Sequence, residues 1–154
     1  MERGGFLIHN QITTKRLSAR LISHSNLCWR LPLRDLQLLL HSHTSWGRGR
    51  SVANLRLMLR ESAAVVSLWQ NKQLIGFGRA SSDRIYRAVL WDVVVTNDHQ
   101  GLGHGRTIVE ALINHRAVVE VERIYLMTTQ QRGFYEQLGF VHQVSQDLML
   151  FKRG

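Results

Sequence analysis

An apolar run that stops at a cluster of glycines constrains this chain more than any other feature. Residues 89–95 read VLWDVVV, and residues 99–106 then read HQGLGHGR, with glycine at 101, 103 and 105. Three consecutive β-branched residues are typical of a strand buried on both faces, and apolar side chains recur at helical spacing after Arg106. The sequence therefore predicts a buried strand, a glycine loop and a helix in direct succession.

This succession places the N-terminus of a helix behind a turn with few side chains. The first N–H groups of a helix lack intrahelical partners and together carry roughly half a positive elementary charge. Glycine lets the backbone approach an anion closely because it has no Cβ, and Arg106 adds a formal charge. The loop therefore predicts a phosphate site, although an ordinary turn between a strand and a helix would use the same residue types.

The common nucleotide motifs do not fit this loop. A P-loop requires G-x-x-x-x-G-K-[ST], whereas Gly105 is followed by Arg106 and Thr107. A dinucleotide fingerprint requires G-x-G-x-x-G, whereas the spacing here is G-x-G-x-G and the preceding strand belongs to an antiparallel run. Both of these nucleotide sites are therefore excluded.

Periodicity and turn signals predict two helices, three strands and then an alternation of helix and strand. Helical spacing marks residues 31–46 and 51–62, and strand patterns mark residues 64–69, 73–81 and 87–95. A helix at 106–116, a strand at 123–129, a short helix at 133–140 ended by Gly139 and a last strand at 147–151 follow. The strands at 87–95 and 123–129 are joined through a helix, so they should be parallel. The predicted fold class is α+β with a mixed sheet.

The length and cysteine content set the domain count and the compartment that we expect. A chain of 154 residues is most economically one domain, and we predict a basic, loosely ordered tail at 1–25 and a single domain at 26–154. Cys28 is the only cysteine, which fits a reducing compartment, so we expect the cytoplasm, or the chloroplast stroma for a plant protein. No apolar stretch approaches 18 residues, so no membrane span is predicted.

The charge of the chain predicts an anionic partner. The formal net charge is +9, and all but three of the 20 basic residues are arginine. Nucleic acid, an anionic surface or a polyphosphate cofactor would each satisfy this charge. The arginines are spread along the chain, and the helix after Arg106 carries Glu110, which argues against a basic stripe for nucleic acid.

Two motifs in the second half of the chain resemble those of a known protein family. The loop fits Q-x-x-G-x-G at Gln100, Gly103 and Gly105, and the stretch FYEQLGF fits F-Y-x-x-x-G-F from Phe134 to Phe140. Together with the order of elements over residues 33–151, they resemble the GNAT acetyltransferase superfamily. The local wording is closest to its cyanobacterial and chloroplast branch, which includes enzymes similar to serotonin N-acetyltransferases, some of which also acetylate protein lysines.

The resemblance implies where acetyl-CoA would bind. In the superfamily, antiparallel strands lead to a central parallel pair that splays apart, and the strand before the loop carries a bulge. The freed backbone of that strand, here Val93, Val94 and Val95, would pair with the pantetheine arm and polarise the thioester carbonyl. Backbone N–H groups of the loop would hold the pyrophosphate, at Gln100, Gly101, Leu102, Gly103, His104, Gly105 and Arg106. Thr128 stands where many relatives carry asparagine, and its hydroxyl can still form a hydrogen bond to the coenzyme.

The resemblance also gives Tyr135 a role as general acid, donating a proton to the leaving thiolate. A packing role for this amphipathic side chain is the alternative. Asp92 lies within a strand that reads as buried, so its carboxylate either holds a structural arginine or acts as the base for the acceptor amine. Glu61 and Asp83 are weaker candidates for that base.

The acceptor side is less specified. Trp46 lies in the region that lines the acceptor site in relatives, where an aromatic wall would suit an arylalkylamine. Because the overall positive charge would repel a cationic amine, we expect a local acidic or aromatic pocket for it. His41 and His43 point away from each other at i, i+2 on a helix, so no metal site is predicted.

The sequence thus predicts an N-acetyltransferase that moves acetyl from acetyl-CoA to a primary amine, an arylalkylamine or a protein lysine, by direct transfer in a ternary complex. Cys28 is interpreted as a small buried hydrophobe and not as a nucleophile. Two alternatives stay open: a basic nucleic-acid-binding module, and a non-catalytic sensor of acyl-CoA. The oligomeric state is also open, and a homodimer would be compatible with the sequence.

Overall fold

Five strands form one mixed sheet in the order β1-β2-β3-β4-β5 in the computed structural model, which describes residues 19–24 and 31–154. Strands β1 to β4 pair antiparallel, and β4 pairs parallel with β5. The predicted α+β class and the predicted parallel pair are therefore confirmed. The strands span Arg20–His24 (β1), Ala64–Gln70 (β2), Gln73–Ser82 (β3), Arg87–Val95 (β4) and Arg123–Tyr125 (β5).

Four α-helices accompany the sheet in the described part of the chain. They span Leu33–His43 (α1), Val52–Arg60 (α2), His104–Ile113 (α3) and Arg132–Glu136 (α4). Ser51 caps α2 as its residue type suggests, since its hydroxyl accepts a hydrogen bond from the N–H of Asn54 at 3.1 Å. Within the described residues no helix combines the length and apolar character that crossing a membrane would require.

Gly139 ends the turn after α4 as predicted. Its φ is 92°, and the N–H of Phe140 bonds to the carbonyl of Tyr135 at 3.1 Å while the N–H of Gly139 bonds to that of Glu136 at 3.0 Å. This pair of bonds is a Schellman motif, which requires a left-handed residue at its turn. The motif returns the chain over the ring of Tyr135 and fixes the position of that residue.

The sheet separates two apolar clusters. One face carries α3, and its cluster includes Leu90, Val95 and Ile108. The other face carries α1 and α2, and its cluster includes Leu36 and Phe77. The buried side chains of the strands are therefore divided between a surface that faces α3 and a surface that faces α1 and α2.

Helix α3 lies close to the sheet because two glycines of β3 face it. A Cβ at Gly76 would lie 2.7 Å from Cδ1 of Ile108, and a Cβ at Gly78 would lie 2.7 Å from its Cγ2 and 3.0 Å from Cδ1 of Leu112. Ile108 and Leu112 are fully buried, so they cannot move aside. The glycines therefore set the distance between α3 and the sheet.

A bulge interrupts β4 at Asp92. Phe77 pairs with Val94 and Arg79 pairs with Trp91, so one residue of β3 opposes two of β4. Asp92 has φ of 55°, in the left-handed region. The extra residue shifts the alternation, because Leu90 before the bulge and Val95 after it both face the α3 side. The bulge expected from the resemblance is confirmed.

The parallel pair separates soon after it forms. β5 pairs with β4 only from Arg87 to Val89 and ends at Tyr125. The second half of β4 carries the bulge and the three valines, and no strand of the described residues lies beside it on that edge. The expected splay is therefore present, and β5 is shorter than the predicted strand at 123–129.

Two other expectations differ from the structure. Residues 20–24 were expected to be loose tail, but they form β1, where Arg20 pairs with Trp69 and His24 with Val65. Five residues give little sequence signal, and the ladder with β2 supplies the order. The expected strand at 147–151 is not formed: Leu148 to Phe151 are 76–86% exposed and make no ladder, because β5 offers an edge of only three residues. Residues 1–18 and 25 of the predicted tail, and Cys28, lie outside the described residues.

Gly78→Ala should destabilise the protein by about 1–3 kcal/mol, because its methyl group would overlap buried Ile108. Gly133→Ala is the matched control: a Cβ there meets nothing within 4 Å, and alanine in α4 should leave stability unchanged or raise it by up to about 1 kcal/mol. Urea unfolding measures both. Equal stability of the two variants would contradict the packing role of Gly78.

Candidate active site

The glycine loop begins where β4 leaves the sheet. A short 3₁₀ turn at Asn97–His99 follows the strand, and Gly101 and Gly103 then adopt φ of 74° and 85°. A Cβ at either glycine would meet nothing within 4 Å, so these glycines are required by backbone conformation and not by crowding. Leu102 between them is 63% exposed. The loop therefore presents its backbone to solvent.

Helix α3 starts behind this loop without a side-chain cap. Gly103 is the N-cap and has no side chain to accept from the first turn. The hydroxyl of Thr107 instead donates to the carbonyl of Gly103 at 3.1 Å. The N–H groups of the first turn are thus left for water or an anion.

The three glycines of the loop have two different roles. Gly101 and Gly103 supply the turn, whereas a Cβ at Gly105 would lie 3.1 Å from Cζ of Phe134. Gly105 therefore lets α3 approach α4. This contact joins the start of the loop helix to the FYEQLGF stretch, so the two motifs of the sequence meet at one end of the sheet.

Side chains fix the loop from behind. Gln100 donates through Nε2 to the carbonyl of Val95 at 3.1 Å, which covers the end of β4. His99 contacts the hydroxyl of Thr96 through Nδ1 at 2.7 Å and the side-chain oxygen of Gln70 through Nε2 at 2.9 Å. The loop is therefore tied both to its own strand and to the β2–β3 hairpin.

The two larger side chains of the first helical turn lie at the outer side of the loop. Arg106 pairs with Glu110 across one turn of α3 at 3.3 Å, and both side chains are about half exposed. His104 is half-buried, and its ring centroid lies 6.2 Å from that of His99. Such an exposed pair is weak, so Arg106 can turn to a phosphate at little cost.

Tyr135 lies on α4 between two aromatic rings. Its centroid is 4.9 Å from that of Phe134 and 5.8 Å from that of Phe140, both edge to face. Burial raises the pKa of the Tyr135 phenol, so the group holds its proton through the neutral range. In the described part of the chain, no hydrogen bond engages its hydroxyl, which leaves the proton available to a ligand.

Asp92 holds two arginines. Its Oδ2 accepts from Nε of Arg79 at 2.6 Å and from Nη1 of Arg50 at 3.0 Å, and its side chain is 7% exposed. Of the two roles that the sequence left open, the contact with a structural arginine is confirmed. The role of Asp92 as base stays a prediction, because its Oδ2 is already engaged by both arginines.

The weaker candidates for the base have other partners. Glu61 is exposed and pairs with Arg60 at 3.1 Å. Asp83 organises the β3–β4 turn, where the N–H of Arg87, above all, and those of Ile85 and Tyr86 hold the pKa of its carboxyl below the ordinary value. Both carboxylates are thus engaged by partners of their own.

Trp46 joins the Asp92 site through Arg50. The Arg50 guanidinium carbon lies 5.1 Å from the centre of the Trp46 ring, and that of Arg79 lies 5.8 Å from the centre of Trp91. We call these five side chains the Asp92 cluster; its members are Trp46, Arg50, Arg79, Trp91 and Asp92. Trp46 and Asp92 were predicted from the sequence, whereas Arg50, Arg79 and Trp91 were not. Their one signal in the sequence is that a buried carboxylate needs a cationic partner.

The hydroxyl of Thr128 already takes part in a hydrogen bond within the chain. Its Oγ1 accepts from the N–H of Gln131 at 3.0 Å and so supports the turn into α4. Its O–H proton and one acceptor lone pair are left for a ligand. His41 and His43 are not part of any group of three metal-ligating side chains, and none occurs within residues 19–24 and 31–154.

Comparison with known proteins gives one family. A family model described as an acetyltransferase (GNAT) domain matches residues 61–142. An uncharacterized N-acetyltransferase ycf52 of Pyropia yezoensis is 36% identical over 97 residues, which cover 60% of this chain and 56% of that protein. A histone acetyltransferase TAP1 of Glycine max is 35% identical over 69% of this chain and 50% of its own length. The chain thus spans about half the length of these curated relatives.

A chloroplast relative and a solved structure extend the comparison. GCN5-related N-acetyltransferase 2, chloroplastic, of Arabidopsis thaliana is 40% identical over 46% of this chain and 28% of its own. A crystal structure of an acetyltransferase assigned to the GNAT family in Xanthomonas campestris superposes with a TM-score of 0.74 at 23% identity, over 87% of this chain and 94% of the other. At that identity the superposition supports the fold alone.

Asp92→Asn should destabilise the protein by about 3 kcal/mol, near the lower end for breaking a buried ion pair, since Arg50 is 30% exposed. Asparagine tolerates the left-handed conformation of this position, so the loss reports the lost charge. Glu61→Gln removes an exposed pair with Arg60 and should change stability by less than about 1 kcal/mol. Urea unfolding compares the two, and an unchanged Asp92→Asn midpoint would show that the arginines do not need the carboxylate.

Proposed function

Because this chain belongs to the GNAT acetyltransferase family, we propose that it transfers the acetyl group of acetyl-CoA to a primary amine in a ternary complex. The observation that carries the proposal is the opening beside β4, which adjoins a glycine loop and the uncapped first turn of α3. Strand backbone, loop amides and helix N-terminus thus follow one another along a single edge. An extended thioester arm that leads to a diphosphate has the matching order of groups.

The loop and β4 divide the binding of acetyl-CoA between them. N–H groups from Gln100 to Arg106 would hold the pyrophosphate, aided by the helix dipole of α3. Backbone groups of Val93 to Val95, which β5 does not reach, would pair with the pantetheine arm. One N–H of this stretch would polarise the thioester carbonyl, and the side chains of Val94 and Val95 stay in the core. Thr128 can donate its hydroxyl proton to the same ligand.

Acetyl-CoA supplies an activated carbonyl carbon, and the chain positions it for a neutral amine. The amine nitrogen forms a bond to that carbon, the carbon–sulfur bond breaks, and the proton lost by the nitrogen passes to water. Tyr135 donates its phenolic proton to the leaving sulfur and then regains one from solvent. Burial raises the pKa of Tyr135, so the phenol stays protonated through the neutral pH range.

The acceptor is an arylalkylamine or a protein lysine. Trp46 is 47% exposed and offers an aromatic wall for the first. The soybean relative, named a histone acetyltransferase, favours the second by analogy. The cytoplasm or the chloroplast stroma remains the expected compartment, and the Arabidopsis relative named as chloroplastic is in keeping with the latter.

Gly103→Ala should weaken coenzyme A binding by at least tenfold. A φ of 85° costs alanine about 1–2 kcal/mol, so the loop would change conformation and its amides would no longer face the pyrophosphate. Gly49→Ala is the matched control, since Gly49 has φ of 77° and open space around its Cβ. Both variants should lose similar stability in urea, while calorimetric titration with coenzyme A detects the loss only in Gly103→Ala. Equal affinity of the two variants would separate the loop from the coenzyme.

Tyr135→Phe should lower kcat on the order of 10²-fold while coenzyme A affinity is nearly unchanged. Tyr86→Phe, at an exposed turn, is the control and should retain full turnover. Release of free thiol from acetyl-CoA in the presence of tryptamine or a lysine peptide gives the rate. In the parent protein, Tyr135 should cause no alkaline fall in kcat below about pH 10. Full turnover of Tyr135→Phe would remove the phenol from the reaction.

A further inference from the structure

We infer that the acceptor carries a carboxylate in addition to its amine, and that the Asp92 cluster binds this carboxylate; the inference rests on the proposed function. The cluster lies beside the reacting edge, because Asp92 directly precedes Val93 in the bulge of β4. Its partner Arg50 comes from the segment between α1 and α2. It therefore occupies the sheet face opposite α3, and the amine must approach from this face if the coenzyme approaches from α3.

The charges of the cluster do not balance. Two guanidinium groups share the single carboxylate of Asp92, and both use the same oxygen. One positive charge is left over at a place where Arg50 is 30% exposed and Arg79 only 18% exposed. One arginine would be enough to neutralise a purely structural carboxylate. The charge of the second, partly buried arginine is not neutralised within the cluster, which favours the binding of an anion there.

The donors of the cluster are still available. Arg50 uses Nη1 for Asp92 and for the sulfur of Met58, and Arg79 uses Nε for Asp92. Among the described residues, the other guanidinium nitrogens of both arginines have no hydrogen-bond acceptor. A guanidinium edge with two N–H groups matches the two oxygens of a carboxylate.

The surroundings fix the arginines and select the remainder of the ligand. Trp46 and Trp91 stack against Arg50 and Arg79, and Trp91 is held by a hydrogen bond from its indole N–H to the hydroxyl of Ser81 at 2.9 Å. Gln37 also donates to the backbone carbonyl of Arg50 at 2.9 Å. The guanidinium groups are therefore pre-organised, and half-exposed Trp46 leaves an aromatic surface next to them.

Binding of two isosteric probes tests the charge requirement directly. Indole-3-acetate and indole-3-acetamide are titrated calorimetrically into the full chain with and without saturating coenzyme A. We expect the acetate to bind at least tenfold more tightly than the amide. Arg50→Gln should reduce this ratio to within about twofold, while Arg56→Gln, which removes the same charge from an exposed site on α2, should leave it unchanged.

The outcomes separate the inference from the proposed function. Equal binding of both probes, binding of neither, or an Arg50→Gln variant that weakens both probes equally would overturn the inference. If coenzyme A binds while the acetate has no advantage, the acetyltransferase proposal stands alone. If the acetate is preferred but coenzyme A does not bind, the cluster is an anion site and the acetyltransferase proposal fails.

Acetylation rates then identify the source of the carboxylate. Tryptophan against tryptamine compares free amines that differ by one carboxylate, and a lysine peptide with adjacent glutamate against its glutamine counterpart compares protein-like acceptors. Preference for tryptophan assigns the carboxylate to a small amino acid, and preference for the glutamate peptide assigns it to a protein. A lack of preference in both pairs would contradict the inference.

Discussion

The bulge of β4 at Asp92 is the constraint on which the rest of the site depends. One extra residue lets Leu90 and Val95 face the same apolar cluster, while the carboxylate between them pairs with Arg50 of the segment between α1 and α2. A non-glycine residue in the left-handed region costs roughly 1–2 kcal/mol, and the two ion pairs of Asp92 offset that cost. The ion pairs of the cluster therefore compensate for the strain of the bulge, and the bulge in turn places the carboxylate where both arginines reach it.

The sheet offers the two proposed substrates different faces. On the α3 side, glycines at 76 and 78 bring α3 against the sheet, so that its N-terminus lies at the end of β4. Gly105 then brings Phe134, and with it Tyr135, to the same end. On the α1 and α2 side, the arginines and tryptophans gather around Asp92. The edge that β5 leaves open is where these two surfaces meet, as the direct transfer proposed above would require.

The order of elements and the loop could be predicted from sequence because they have local signals. Glycines, caps and apolar periodicity mark α1, α2, β2 to β4 and α3, and Gly139 marks the end of the turn after α4. The predictions for β1 and for residues 147–151 were wrong because strand formation depends on a partner edge, which no local sequence pattern reports. In the site, the need of Asp92 for an arginine was visible, but Arg50 and Arg79 were found only through contacts across 42 and 13 residues of chain.

The arrangement of charge resolves a conflict present in the composition. A net charge of +9 attracts the phosphates of coenzyme A but repels a cationic amine. The acidic or aromatic pocket expected for the amine stays a prediction. Trp46 and Trp91 supply aromatic surface around Asp92, whose charge is outweighed by two guanidinium groups. An amine that brings its own carboxylate has no net charge to be repelled, and its carboxylate gains the cluster as a partner. The same positive field can then serve both substrates.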